Sequence, residues 1–160
     1  MPAKLSYVDM DDTLCDYSGA FARAKAQQPA IAYPQSQYGF FRNLDPLPGA
    51  LASIQYFEGH PDLEVYILTA PSIYNPLCYT EKRIWVEQYL GMEMVKRLII
   101  SPNKGLNKGD YLIDDHTSGR GQEIFSGQLI QFGSHEFPDW KTIRSYFAEN
   151  YHNKQAYVQK

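Results

Sequence analysis

The chain has 160 residues, a hydrophobic fraction of 44%, a formal net charge of −3 and a sequence pI near 5.8. That length and apolar content suit one domain with a substantial core, and 13 tyrosines with 8 phenylalanines argue against disorder. An acidic chain has no basic footprint for a nucleic-acid polymer, and no stretch approaches the roughly 18 apolar residues of a membrane span, so neither partner is expected.

The segment "KLSYVDMDDTLCDY" (4–17) carries the first predicted strand, 5–9, which ends in Asp9 with Asp11, Asp12 and Thr13 behind it. Its carboxylates come before any secretory apolar core could form, and the two cysteines, Cys15 and Cys78, lack CxxC spacing. A reduced, cytoplasmic setting is therefore expected. Cys15 reads as a nucleophile or, more in keeping with its type, as a small buried hydrophobe. The helical piece "YSGAFARAKAQQ" is followed by a Pro-, Gly- and aromatic-rich stretch, and residues 16–45 are too long for an ordinary βα loop. They predict a small cap or lid.

A helix over 48–59 opens with Pro48 and closes near Gly59. The strand 63–68 ends at Thr69, and a helix over 75–91 has Asn75 as N-cap, Pro76 at its first position and Gly91 as terminator. Strands follow at 97–101, 111–114 and 128–132, then a helix at 139–150 and a polar tail expected to fray. Strands alternating with helices predict an α/β domain with a doubly wound parallel sheet, spanning 1–160, with the cap inserted after the first strand.

Ligands of such sheets sit beyond the carboxyl ends of the strands. Asp9, Thr69 and the pair Asp114–Asp115 stand at three of those ends. Clustered carboxylates repel one another unless a hard divalent cation with oxygen ligands, Mg²⁺ foremost, relieves them. The same ion can bind a phosphate oxygen and screen an anionic attack on phosphorus. A carboxylate can then form an aspartyl phosphate, and a second one two residues along can move the protons. A hydroxyl and a lysine can hold the remaining phosphoryl oxygens. Lys104 follows a strand in "SPNKG", and Lys82 interrupts an apolar stripe of Cys78, Trp85 and Tyr89. Taken singly, each lysine reads as well as a snorkelling surface residue.

Four of these stretches together resemble the motifs of the haloacid dehalogenase superfamily of phosphotransferases: "VDMDDTL", "ILTAPS", "NKG" and "LIDD", in the family's order. "DPLPGALASIQYF" and "YTEKRIWVEQYLG" add a closer resemblance to the 5'(3')-deoxyribonucleotidases. The resemblance implies a Rossmann-like fold and Mg²⁺-dependent removal of phosphate from deoxynucleoside monophosphates. It implies Asp9 as nucleophile and metal ligand, and Asp11 as general acid/base whose backbone carbonyl faces the metal. Thr69, with the backbone near Ala70, would bind the phosphoryl group. Lys104 would balance charge and Lys82 would assist with substrate phosphate. Asp115 is the choice for direct metal contact, with Asp114 acting through water or as an orienter. Tyr38, Phe40 and Phe41 resemble the end of the family's cap, where Phe40 and Phe41 would meet the base; they could equally pack the lid or form a homodimer contact. Two departures stand out: Asp12 occupies a position that is usually Gly, and the lid is short. Asp12 is expected to cap a turn or face solvent, at a cost in local strain. The alternatives are a phosphatase of another small phosphorylated metabolite and a catalytically silent nucleotide-binding module.

Overall fold

The computed structural model describes residues 1–151; the polar tail beyond lies outside the described residues. Five strands, β1 (Lys4–Val8), β2 (Leu63–Thr69), β3 (Leu98–Ile100), β4 (Tyr111–Asp114) and β5 (Gln128–Gln131), form one sheet in the order β3-β2-β1-β4-β5. Every pairing is parallel, with Val8 opposite Ile67 on one side and Ile113 on the other. The chain winds outward from β1 to β3 and then returns to the far side of β1, so the direction of winding switches between β1 and β4. At such a switch the flanking loops part and leave a crevice.

Side chains alternate across the sheet with the period of two that strands impose. Val8, Val65, Ile67, Ile113 and Ile130 join the large core cluster, against Ile54 and Phe57 of helix α2 (Ala50–Glu58), Trp85 and Val86 of α3 (Leu77–Leu90), and Ile143 and Phe147 of α5 (Trp140–Asn150). Tyr7, Leu68 and Leu112 face the other way and pack with Phe125 in a smaller cluster. Phe125, just past the 3₁₀ turn at Gln122–Ile124, is the one buried member of that cluster from outside the strands, and no described helix residue belongs to it. The expected strands and helices are present with ends shifted by one or two residues. The short α4 (Met92–Val95) was not expected; Gly91, with φ of +83°, ends α3 and lets the chain turn at once into it. Asn75 caps α3 from just outside, its Oδ1 accepting the Leu77 N–H at 3.0 Å.

Between β1 and α2 the chain leaves the sheet. Residues 16–45 form α1 (Tyr17–Gln27), a 3₁₀ turn at Pro34–Ser36 and a turn-rich return, and they rejoin the body where Cys15 bridges to Pro46. Helix α1 buries no residue completely, so propensity alone does not hold it. Carboxylates at both of its free N-terminal amides do: Asp16 accepts from Gly19 N and Asp12 from Ser18 N, at 2.9 and 2.8 Å. Asp12 achieves this in the left-handed region, at φ +57°, a conformation that glycine adopts without strain and that Asp tolerates better than most residues. The turn-capping expectation for Asp12 thus has a structural basis, and so does the expected strain.

Candidate active site

Asp9 is the first residue past β1, and its amide bonds to Ile113 O at 2.9 Å, which ties the motif to the end of β4. Its Oδ1 accepts from Lys104 Nζ at 2.7 Å, and the same ammonium also bonds Asp114. All three side chains are almost completely withdrawn from solvent. Burial alone would push the Lys104 ammonium down, but Asp9 and Asp114 overcome it and hold the group above its ordinary value. Oxygens of Asp9, Asp114 and Asp115 lie within 4.8 Å of one another, a spacing that suits a divalent cation. Thr13 spans two of them, its hydroxyl 3.5 Å from Asp9 Oδ2 and 3.4 Å from Asp115 Oδ1.

Asp11 faces a different partner. Lys82 Nζ donates to Asp11 Oδ2 at 2.9 Å and to Thr69 Oγ1 at 2.8 Å, and it lies 5.1 Å from the centre of the Phe41 ring. Lys82 is fully buried, so the snorkelling reading of this lysine fails; Lys104 likewise has no exposed arm. Removal from water pushes the Asp11 carboxyl up, Lys82 pulls it back and Asp9 pushes it up again, leaving it raised. Cys15, buried beside it, has its thiol pushed well above the ordinary value by burial and then by Asp11, as an inert small hydrophobe would.

A crevice of about 580 Å³, a size suited to a small ligand, opens beside these groups, and Thr69, Lys82 and Asp115 lie behind its lining. Asp9, Asp11, Lys104 and Asp114 line its floor, with Ala70 at the end of β2, and Phe41 and Tyr17 form part of the wall below the lid. Phe40 does not line it. It turns instead into a second cavity on the outer side of the lid and meets Tyr17 and Phe41 edge-on at 5.4 and 5.2 Å. Tyr38 is 76% exposed and borders the same outer cavity. His116 Nε2 sits 3.3 Å from Asp115 Oδ2 at the rim, with most of its ring in solvent.

A family model described as 5' nucleotidase, deoxy (pyrimidine), cytosolic type C protein matches residues 26–144. The chain belongs to this family. Among fellow deoxyribonucleotidases, the human cytosolic-type 5'(3')-deoxyribonucleotidase is 32% identical over 174 residues, covering 91% of this chain and 81% of its own. A Vibrio phage KVP40 protein, given the name 5'(3')-deoxyribonucleotidase provisionally, is 38% identical over 150 residues, 89% of this chain and 83% of its own. Among solved structures, a haloacid dehalogenase family hydrolase of Deinococcus radiodurans, with bound phosphate and sodium, superposes with a TM-score of 0.60 at 11% identity, covering 92% of this chain and 96% of its own. That likeness shows the fold, as does a Bacillus subtilis hydrolase bound to magnesium (TM-score 0.56, 13% identity, 87% and 90% covered). The chain is a phosphoric monoester hydrolase of the haloacid dehalogenase fold, and its relatives support nucleotide phosphatase activity.

Several residues of the candidate site carry little signal that singles them out in the sequence. Gln122 is buried, donates to Asp114 Oδ2 at 3.3 Å and accepts from Arg120 N at 2.8 Å; nothing local in "GQEIF" announces it. Tyr74 and Ile73 stand exposed at the crevice mouth, and their place just past the end of β2 was the available signal. Glu81, next to Lys82 on α3, is buried and accepts the lid amides of Gly39 and Phe41 at 2.5 and 3.0 Å, while Trp85 Nε1 donates to Leu44 O at 2.8 Å. One helix therefore holds both the lid and the Asp11 side of the floor. Glu81→Ala strands two lid amides and removes two charge-assisted bonds, so it should destabilise the protein by about 3 kcal/mol, seen as a melting temperature lower by about 10 °C. An unchanged melt would mean the lid is held elsewhere.

Burial, then Asp9 and Asp114, raise the Asp115 carboxyl from its ordinary value to about 8. A raised folded-state pKa contributes stability that is fully present below the unfolded value near 3.8 and is lost as pH climbs toward about 8. In chelator, the melting temperature of the wild type should therefore fall across that window more steeply than that of Asp115→Asn, which is expected to be the more stable of the two near neutrality. Divalent cation should raise the wild-type melt and leave the variant's nearly unmoved. Parallel pH profiles with equal cation shifts would remove Asp115 from the cluster.

Proposed function

We propose that this chain is a Mg²⁺-dependent phosphatase of deoxynucleoside monophosphates that works through an aspartyl phosphate on Asp9. The observation that carries the reading is the division of labour between two carboxylates two residues apart. Asp9 belongs to the buried cluster with Lys104, Asp114 and Asp115, and Asp11 belongs to Lys82 and Thr69. The first arrangement holds the Asp9 carboxylate in place against the Lys104 ammonium for attack on phosphorus; the second gives its neighbour a raised affinity for a proton.

Asp9, Asp114 and Asp115 fit a hard divalent cation by donor type and spacing; Asp115 would be the direct ligand of the pair, and the Asp11 carbonyl would join them. Bound there, Mg²⁺ supplies positive charge to the phosphoryl oxygens and to the carboxylates that flank them. Asp9 attacks phosphorus, and Asp11 gives its proton to the departing ester oxygen and then takes one from the water that hydrolyses the aspartyl phosphate. Thr69, the backbone at Ala70, Lys82 and Lys104 hold the phosphoryl oxygens as their charge grows. Residues 16–45 act as the cap over a single catalytic domain, and Phe41, not Phe40, faces the substrate from it. No described helix is long and apolar enough to cross a membrane, and the paired resemblance to a cytosolic-type relative supports a cytoplasmic site of action.

Phosphate release from deoxy- and ribonucleoside monophosphates and from sugar phosphates, in Mg²⁺ and in excess chelator, tests this. Metal-dependent release strongest with deoxynucleotides is expected. Turnover of sugar phosphates alone would keep the chemistry and discard the substrate. No turnover of any substrate by folded protein would leave only a binding module.

A further inference from the structure

Three buried side-chain polar atoms among the described residues have no hydrogen-bond partner: Ser6 Oγ, Gln35 Oε1 and Arg144 Nε. Of the three residues, Gln35 alone lines the catalytic crevice, on the lid side, with Phe41, Tyr17 and Tyr74. Its backbone is fixed. Gln35 sits in the 3₁₀ turn at Pro34–Ser36, and its carbonyl accepts from Asn75 Nδ2 at 2.9 Å, Asn75 being 3% exposed. The lid and the loop after β2 are thereby joined beside the crevice.

An amide acceptor left unmatched away from water carries a standing penalty. A side chain already bonded within the protein would have to give up a partner to reach a ligand; Gln35 gives up none through Oε1. It is an arm on a pinned backbone, with aromatic rings and the floor of Asp9, Asp11 and Lys104 lining the same cavity. We propose that Gln35 is the residue that recognises the nucleobase: its side chain turns toward the bound substrate, Oε1 accepts an N–H of a pyrimidine's pairing edge, and Nε2 donates to the adjoining ring nitrogen or carbonyl. The inference rests on the nucleotide reading above and adds to it the group that tells a nucleotide from a bare sugar phosphate. An amide presents one donor beside one acceptor, so it matches the amino and ring-nitrogen pair of cytosine as well as the imide and carbonyl pair of thymine. Gln35 therefore selects for a base with a donor on that edge and not for one pyrimidine over another. The stacking rings supply contact area and accept any base face.

The test compares dCMP with the 2-pyrimidinone deoxynucleotide, which is dCMP without its amino group, and with 2-deoxyribose 5-phosphate, which has no base. The wild type should show kcat/KM about tenfold higher for dCMP than for 2-pyrimidinone, the worth of one neutral hydrogen bond. In Gln35→Leu that ratio should fall close to one through a rise in KM for dCMP, while kcat/KM for 2-deoxyribose 5-phosphate is unchanged. Each ratio is taken on a single preparation, so it does not depend on the folded fraction, and Gln35→Ala repeats it with a smaller side chain. A ratio that persists in both variants overturns the assignment. So does an equal loss on all three substrates, which marks Gln35 as structural. If the wild type hydrolyses 2-deoxyribose 5-phosphate as well as dCMP, the deoxynucleotide reading itself has failed, and Gln35 falls with it.

Discussion

Asp9→Asn should lower phosphate release by at least about 10⁴-fold while leaving the protein folded. Asparagine keeps the shape of the side chain and an oxygen that can accept from Lys104, and Asp114 remains to balance the ammonium. What it loses is the carboxylate oxygen proposed to attack phosphorus, because a neutral amide oxygen does not form a stable bond there. The neighbouring carboxylate cannot take over, since Asp11 is held by Lys82, on the other side of the floor. The melting temperature should move by only a few degrees. Substantial residual turnover from the variant would place the nucleophile elsewhere and remove the basis for dividing the work between Asp9 and Asp11.

Lys104→Met is expected to damage both stability and activity, and for one reason. In the resting protein Lys104 is the ammonium bonded to both Asp9 and Asp114, and both carboxylates are almost without solvent. Methionine fills the volume but leaves two buried charges unbalanced, a loss of about 3–5 kcal/mol near neutral pH and a melting temperature lower by about 10 °C or more. Two conditions should restore part of it: acid, because protonated carboxyls need no counter-charge, and divalent cation, because it replaces the lost positive charge. Activity should stay down by about 10²–10³-fold even in saturating Mg²⁺, since the ion would not replace Lys104 as the proposed donor to the phosphoryl oxygen. A variant as stable as wild type in chelator would show that the ammonium does not balance the cluster.

The parts of this structure that could be read from sequence are those in which one local stretch carries the physics. The parallel strands are short apolar runs with polar ends, so all five were visible, and with them the strand-end positions of Asp9, Thr69 and Asp114. Lys82 was visible as a charge in an apolar stripe, although its partners were not. The short second-face cover around Phe125 was not visible, because 3₁₀ turns leave no periodicity to detect. Contacts made at long separation were also invisible, Glu81 to the lid amides and Asn75 to Gln35, and so was the nearer one from Gln122 to Asp114, which an irregular loop brings about. In "GFFRN" two adjacent phenylalanines looked equivalent, and only the path of the turn sends Phe41 to the crevice and Phe40 to the outer cavity.

The covalent step is the claim on which the rest depends, and it can be observed directly. If Asp11 is the base that activates water, as proposed, Asp11→Asn should let an aspartyl phosphate form and persist when the leaving group needs no proton. We would mix Asp11→Asn with p-nitrophenyl phosphate and Mg²⁺, quench in acid and locate the phosphoryl group by peptide mass spectrometry. A phosphoryl group on Asp9, absent in chelator and absent from the Asp9→Asn protein, is the predicted result. Steady turnover by the wild type with no phosphoryl group trapped on Asp9 in the variant, or with the group on another residue, would contradict it.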